Sequence, residues 1–395
     1  MAAGAAARER VGSIDLVRGA VMVLMALDHV RDFVSNAHFD PTDLDKTTPA
    51  LFFTRWITHF CAPVFVALSG VGAHLQGARG AGRGEVSRFL LTRGIWLVVL
   101  ELTVVRFGWS FNVRYDQAVA QVIWALGWSM VALAGLVHLP RRAVGWASLG
   151  AIALHGLADR IHAKDLGGLA PLWRIAHEQG PVFLPGDRVF FVAYPLVPWV
   201  FVMAAAWAFG DWLLPDDGAR RRRRLLAVGG AALVVFVALR ASGRFGDPHP
   251  WTPGGGALRS ALAFLACEKY PPSLCYLGMT LGPAAIALAL LERPPAAIAP
   301  LARALVVFGR VPLFYYLLHL VVIHAAAIAL AWARYRTIPE GMFGPPFGWK
   351  VPEGYGYGLG GVYALWAAVV ALLWPACAWF SRVKRRSASP WLRYL

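Results

Sequence analysis

Apolar stretches of about twenty residues alternate with short polar connections along the chain. A helix of that length spans the hydrocarbon core of a bilayer. Read with a window of about nineteen residues, the pattern predicts ten transmembrane helices, at approximately 14–34, 50–74, 88–107, 117–138, 143–158, 189–213, 224–241, 273–292, 303–332 and 359–381. The predicted fold is therefore all-α, a polytopic integral membrane helix bundle.

Composition agrees with a surface that lies partly in lipid. The 395 residues are 58% apolar and 15% charged, with a mean hydropathy of +0.54. One soluble domain cannot hide so much apolar surface, which excludes a soluble globular enzyme, a disordered tail and a collagen-like fibre. The longest predicted loops hold about thirty residues, too few to fold alone. We therefore predict a single integral domain over residues 1–395.

Charge predicts the orientation of the bundle. The formal net charge is +16, and the basic clusters fall on every second connection, at residues 8–10, 79–88, 141–142, 220–224, 293–303 and 382–386. By the positive-inside rule, both termini are cytoplasmic, with a short N-terminal segment at 1–12 and a basic C-terminal segment at 382–395. Because the basic residues are spread over many connections and do not share one face, we expect no nucleic-acid partner.

Ionisable residues inside the predicted helices concentrate in the outer half of the membrane. At a rise of about 1.5 Å per residue, Asp28, His29, Arg31 and Asp32 lie roughly 20 Å beyond Asp15. Other segments carry polar side chains at the same predicted depth, namely Arg55, His59, Glu101, Gln121, Lys269, Tyr316 and His319. Such groups are costly in a bilayer unless they are paired or hydrated, so we predict an outward-opening polar cavity that binds a substrate. Local ion pairs of Arg31 with Asp28 or Asp32 are the alternative.

The first outward loop places His38 close to Asp40, Asp43 and Asp45. A histidine beside carboxylates suits proton abstraction or transient acyl acceptance, although a solvated loop histidine is the alternative. The spacing of the three aspartates matches no calcium loop. The four cysteines show no C-x-x-C spacing. We therefore expect no metal site and no disulfide framework.

A glycine-rich segment, residues 69–84, lies on the predicted cytoplasmic side and contains Arg79 and Arg83. Backbone amides and guanidinium groups can hold phosphates. The segment lacks the order of a P-loop, so an ATPase is not supported. A flexible, positively charged turn is the alternative.

Several segments together resemble the bacterial branch of the heparan-alpha-glucosaminide N-acetyltransferase catalytic-domain family. They are ERVGSIDLVRGAVMVLMALDHVRDF, FTRWITHFCAPVFVALSG, QVIWALGWSM, YPLVPWVFVM, KYPPSLCYLGMTLGP and FGRVPLFYYLLH. The resemblance implies transfer of an acetyl group from cytoplasmic acetyl-CoA to an amine or hydroxyl of a sugar or envelope glycan on the far side of the membrane.

The resemblance also implies roles for individual residues. His38 stands where the lysosomal members carry a histidine that takes part in acetyl transfer, ten positions after Asp28. The residues after His38 differ from the lysosomal pattern. The bacterial D-H-x-R-D pattern makes His29 the rival catalytic base, with Asp28 beside it as a further catalytic candidate. For the CoA phosphates, the cytoplasmic candidates are Arg18, Arg79 and Arg83.

Other readings stay open at this point. A proton-coupled or solute transporter would use the same buried polar residues, and a non-catalytic scaffold for envelope assembly is a third class. The expected partners are the bilayer and a sugar or glycan acceptor, with a homodimer left open. The expected location is a bacterial cytoplasmic membrane, with the polar site facing the periplasm.

Overall fold

A computed structural model describes residues 12–344 and 352–387, together with Ser389 and Leu392. Most of the predicted N-terminal segment 1–12, and part of the C-terminal segment 382–395, lie outside the described residues. The structure is 72% helical. Its α-helices are, in chain order, α1 (Gly12–Val34), α2 (Pro49–Trp56), α3 (Cys61–Ala78), α4 (Arg83–Leu100), α5 (Arg106–Ser110), α6 (Val122–Leu136), α7 (Arg141–Leu154), α8 (Ala170–Ala176), α9 (Trp199–Ala208), α10 (Gly210–Leu213), α11 (Gly218–Ser242), α12 (Ala257–Leu265), α13 (Leu274–Leu290), α14 (Ala299–Arg310), α15 (Pro312–Tyr335) and α16 (Leu359–Arg386).

Each of the ten predicted segments contains helix. In two of them, a short 3₁₀ or π-helical turn connects consecutive α-helices. The 3₁₀ turn Ile57–Phe60 joins α2 to α3, and the π-helix Glu101–Val105 joins α4 to α5. In the described part of the chain, four helices are long and apolar enough to cross a membrane: Pro49–Ala78, Gly218–Ser242, Pro312–Tyr335 and Leu359–Arg386. Ten crossings and the cytoplasmic location of the termini stay predictions.

The all-α prediction is wrong in one place, where a small sheet forms. The predicted helices 117–138 and 189–213 begin as strands, β1 (Gln117–Ala120) and β3 (Arg188–Val192), and β2 (Gly180–Leu184) completes the sheet. The strand order is β1-β3-β2, with β1 parallel and β2 antiparallel to β3. Valine and phenylalanine in β3 favour extended backbone, and pairing with both neighbours satisfies its amides.

The predicted ninth helix is two helices that meet at Val311. Pro312 has no N–H to donate and disfavours helical backbone in the residue before it. Val311 accordingly adopts φ −132° and ψ 50°, and α15 begins at Pro312. The break leaves α14 and α15 free to run in different directions, so that both pack against α1.

Close approaches at glycines bring the helices together. A Cβ built on Gly19 of α1 would overlap the Leu305 carbonyl of α14, and one on Gly309 would overlap the Asp15 carbonyl. Small residues permit such backbone contacts between membrane helices. Helix α1 also contacts α2, α3, α13, α15 and α16. It is therefore the central helix, and its C-terminal part brings Asp28 and His29 into the protein interior.

Candidate functional site

Four charged side chains in the C-terminal part of α1 and in α2 form a continuous ion-pair cluster. Arg55 Nη1 lies 2.5 Å from Asp28 Oδ2, and Arg31 Nη2 lies 2.9 Å from Asp28 Oδ1. Arg31 also pairs with Asp32 at 2.5 Å. The local pairs left open by the sequence therefore both form, and Arg55 extends them to a second helix.

Lys269 and His59 lie beside this cluster. The Lys269 ammonium is 4.9 Å from the ring centre of Tyr270 and 5.8 Å from that of Tyr194. Its charge acts on both Asp28 and His59. Together with Arg31 and Arg55, it makes three cations against the two carboxylates Asp28 and Asp32. The surroundings therefore carry a net positive charge, which favours anionic or carbonyl oxygen atoms in a ligand.

The loop that carries Lys269 contains two groups with shifted acidity. Burial would raise the pKa of Tyr270, but the charge of Lys269, together with that of Arg55, brings this pKa below its usual value. Burial raises the pKa of Glu268, against the opposing hydrogen bond that the Tyr270 amide donates to it. The loop is thus electrostatically part of the cluster.

A pair of buried histidines adjoins the ion pairs. His29 Nδ1 is 2.7 Å from His319 Nε2, and His319 Nδ1 is 3.0 Å from the Tyr315 carbonyl. A carbonyl can only accept, so His319 carries its proton on Nδ1 and its Nε2 accepts from His29 Nδ1. This tautomer leaves His29 Nε2 as the basic nitrogen. The ring of Trp109 lies edge-on to His29, with centres 4.9 Å apart.

Trp109 also lines a small cavity. Its volume is ≈ 20 Å³, room for about one water molecule. Of the predicted cavity residues, Glu101 and Gln121 line it. Glu101 belongs to the π-helix, a distortion common at functional sites, and its Oε2 accepts from the Trp124 amide at 3.0 Å. Among the described residues, several of the predicted polar side chains contact one another directly. The outward-opening polar cavity stays a prediction.

Several buried polar atoms near the ion-pair cluster or the histidine pair make no hydrogen bond to the described residues. They are Arg31 Nη1, His59 Nδ1 and Tyr316 Oη. The Tyr316 ring is edge-on to His29, with centres 6.2 Å apart. A buried polar group without a partner is costly. These three atoms are therefore suited to bind the polar groups of a ligand.

The loop residues predicted with His38 contact other groups. His38 is exposed, and its Nε2 donates to the Tyr355 carbonyl at 2.9 Å. Asp40 accepts from the Thr42 amide. The other two aspartates form ion pairs, Asp43 with Lys46 and Asp45 with Arg259. The aspartates thus stabilise the loop.

The three predicted cytoplasmic cations differ in their availability. Arg18 is half-buried and donates to Asp15 at 3.3 Å and to the Gly309 carbonyl at 3.2 Å. Arg79 and Arg83 are exposed at facing ends of α3 and α4. Arg79 and Arg83 are therefore better placed than Arg18 to meet phosphates.

Three aromatic residues of the site were not predicted from the sequence: Trp109, Tyr194 and Tyr270. Tyr194 and Tyr270 precede prolines, at YPLVPW and KYPPSL. A tyrosine beside a proline in a loop, close to a lysine, is the signal that could have found Tyr270. Trp109 follows an apolar run and carries no comparable signal.

Comparison with known proteins identifies the family of the chain. Residues 10–245 match the family described as heparan-alpha-glucosaminide N-acetyltransferase, catalytic. The matched range covers more than half of the chain and contains the ion-pair cluster, His29 and the cavity residues Glu101 and Gln121. No curated protein matches the chain. The resemblance of the sequence segments is thereby confirmed, while a bacterial origin stays a prediction. The chain is an integral membrane protein that belongs to the heparan-alpha-glucosaminide N-acetyltransferase catalytic-domain family.

Proposed function

We propose that this protein is a transmembrane acetyltransferase. It takes an acetyl group from acetyl-CoA on the cytoplasmic side and delivers it to an amine or hydroxyl of a sugar or envelope glycan on the opposite side. Family membership supports acetyl transfer, and the apolar helices support a site within the membrane. The observation that carries the proposal is the His29–His319 pair, buried next to a net positive cluster.

His29 is the proposed general base. Its Nε2 removes a proton from the acceptor amine or hydroxyl, and the acceptor then attacks the acetyl carbonyl carbon. The thioester C–S bond breaks, and the proton passes from His29 to the departing CoA thiolate. Positive charge from Arg31 and Lys269 favours the oxyanion formed during attack. His319 positions His29 and fixes its tautomer.

The polar atoms without partners provide contacts for the acceptor. Arg31 Nη1 donates, Tyr316 Oη donates or accepts, and His59 Nδ1 does either according to its tautomer. Hydroxyl and amine groups of a sugar satisfy all three. A small apolar solute does not, so a carbohydrate acceptor fits this environment better.

The donor binds on the opposite face in this proposal. Arg79 and Arg83 attract the phosphates of CoA, because both guanidinium groups are exposed beside a glycine-rich turn. The second route, through an acetyl-histidine, uses His38 or His29 as the acyl carrier. The exposed position of His38 suits a late step, delivery to an acceptor at the surface.

Radiolabelled acetyl-CoA tests the proposal with the full chain in proteoliposomes. Glucosamine serves as the acceptor probe, and His29→Ala, His38→Ala and wild type are compared. We expect CoA-dependent labelling of glucosamine that His29→Ala abolishes. Loss in His38→Ala alone would transfer the base assignment to His38. Absence of label on both sugar and protein would contradict the acetyltransferase proposal. Solute flux in the same proteoliposomes would then favour a transporter.

A further inference from the structure

A second histidine cluster lies outside the residues used so far. It joins the 3₁₀ turn His155–Arg160, which follows α7, to the residue after α8. The side chains of His155, Asp159 and His177 each offer one ligand atom, and these atoms lie within 4.8 Å of one another. Both histidines are buried, and the Asp159 side chain is 22% exposed. Two imidazoles and one carboxylate therefore face a common point.

One contact in this cluster has an ordinary explanation. His177 Nε2 lies 2.8 Å from Asp159 Oδ1, as in a buried histidine–carboxylate hydrogen bond. Taken alone, this pair requires no ligand. His155 does not fit that explanation, because it lies opposite the pair with its ring centre 5.7 Å from that of His177.

His155 is the observation that points to a ligand. It is 8% exposed, and neither Nδ1 nor Nε2 makes a hydrogen bond within the described residues. The Pro272 carbonyl lies near the ring and can accept from at most one of the two nitrogens, so the other nitrogen is left for a ligand. An imidazole leaves water at a cost unless its nitrogens are satisfied. A cation at the common point satisfies one of them.

The segments that carry the cluster are fixed to each other. Trp173 Nε1 donates to the Ile161 carbonyl at 2.9 Å, and the Ala163 amide donates to Glu178 Oε2 at 2.7 Å. These bonds join the turn after α7 to the end of α8. The ligand atoms are thus held by packed backbone, as a selective site requires.

We propose that His155, Asp159 and His177 bind one Zn²⁺ ion. Imidazole nitrogen and carboxylate oxygen are common zinc ligands, and two histidines with one carboxylate leave the fourth tetrahedral position to water. Calcium and magnesium prefer sets made of oxygen alone. Binding moves the His177 proton from Nε2 to Nδ1, so that Nε2 coordinates. The site does not depend on the proposed acetyl transfer.

Metal titration of the full chain in detergent tests this site directly. The protein is treated with EDTA, desalted and titrated with Zn²⁺ against a chromophoric chelator, with the bound metal counted by elemental analysis. We expect one zinc per chain. Co²⁺ is the second probe, because a tetrahedral N/O site gives it visible absorption bands that Zn²⁺ then displaces. This measurement uses wild-type protein and needs no variant to fold.

Variants assign the ligands. We expect His155→Ala and His177→Ala to weaken zinc binding by at least about 100-fold. The matched control is His162→Ala, which removes an exposed histidine of the same loop that pairs with Glu178 at 3.8 Å. Its affinity is expected to stay within about twofold of wild type. Absence of saturable binding and of cobalt bands in wild type overturns the site. Wild-type affinity in both ligand variants, or equal loss in His162→Ala, also overturns it.

Discussion

The two histidine pairs of this protein differ in what fixes their ring nitrogens. In the first pair, the Tyr315 carbonyl sets the tautomer of His319, which in turn sets that of His29. In the second pair, Asp159 contacts His177, and both nitrogens of His155 are left without a hydrogen bond among the described residues. A chain of settled tautomers suits proton transfer, whereas open nitrogens beside a carboxylate suit a cation.

The carboxylates beside the two histidine pairs also differ in what neutralises their charge. Asp28 lies between Arg31 and Arg55, so its charge is already balanced. Asp159 faces imidazole rings, which leave its charge available to a metal ion. Similar residue types thus serve different chemistry, according to whether arginine reaches the carboxylate. The cation nearest a His/Asp group therefore decides what that group can bind.

Substitution of His29 should have the greatest effect, and it should change acetyl transfer without changing zinc binding. We expect His29→Ala to lower kcat/KM for acetyl transfer by about 10²–10⁴-fold, because the base is lost. Zinc stoichiometry should stay at the wild-type value, since His29 is not a ligand of the second pair. Transfer rates and metal content are measured on the same preparation. A joint loss of zinc and activity would mean that the variant disturbs the whole fold.

The carboxylates offer the next test, through stability. Asp28→Asn leaves the guanidinium groups of Arg31 and Arg55 buried with one carboxylate fewer. We expect it to lower the free energy of unfolding by about 3–5 kcal/mol. Asp159→Asn keeps an oxygen acceptor for His177, so we expect a loss of about 1 kcal/mol. Unfolding in mixed micelles measures both differences.

A double variant is the control for this contrast. Asp28→Asn combined with Arg55→Met removes one unbalanced cation and should recover part of the loss. Equal losses for Asp28→Asn and Asp159→Asn would show that arginine pairing does not distinguish the two carboxylates.

The positioning role of His319 gives a smaller effect. We expect His319→Ala to lower kcat by roughly 10–100-fold, since an outer partner orients the reacting group. His319→Gln keeps an acceptor for His29 Nδ1 and should restore part of the rate. The control is His324→Gln on the same helix, where the ring stacks between Phe33 and Phe111. A rate loss in His324→Gln equal to that in His319→Ala would argue for packing alone.

The sequence predicts the helices better than it predicts their contacts. Apolar length identifies a helix in every predicted segment, because burial in lipid requires it. The short run Arg188–Val192 is read as helix because its apolar residues adjoin those of α9. The Asp28–Arg55 pair depends on the rotation of α1, which close packing at Gly19 fixes. Periodicity along one helix does not contain that information.

For the candidate sites too, the sequence identifies some of the residues but not the contacts between them. Asp28, His29, Arg55 and His319 stand out because charge and imidazole are rare in apolar segments. The absence of a metal, expected from the sequence, conflicts with the zinc proposal. His155 lies at the end of an apolar run, and His177 follows Asp159 by eighteen residues. No standard ligand spacing marks that set, so it becomes visible only when α8 folds back.

The smallest expected effect is the acid sensitivity of the second pair. Protonated imidazole cannot coordinate a metal, so acid competes with zinc at a site built on imidazole nitrogen. We expect the zinc affinity to fall by up to about tenfold as the pH is lowered from about 7.5 to about 5. The arginines around Asp28 keep their charge over this range, so stability contributed by that cluster should not follow the zinc curve. Zinc titrations at several pH values, beside unfolding in the presence of EDTA, separate the two. A zinc affinity independent of pH would place the metal on ligands other than histidine, because carboxylates stay ionised throughout this interval.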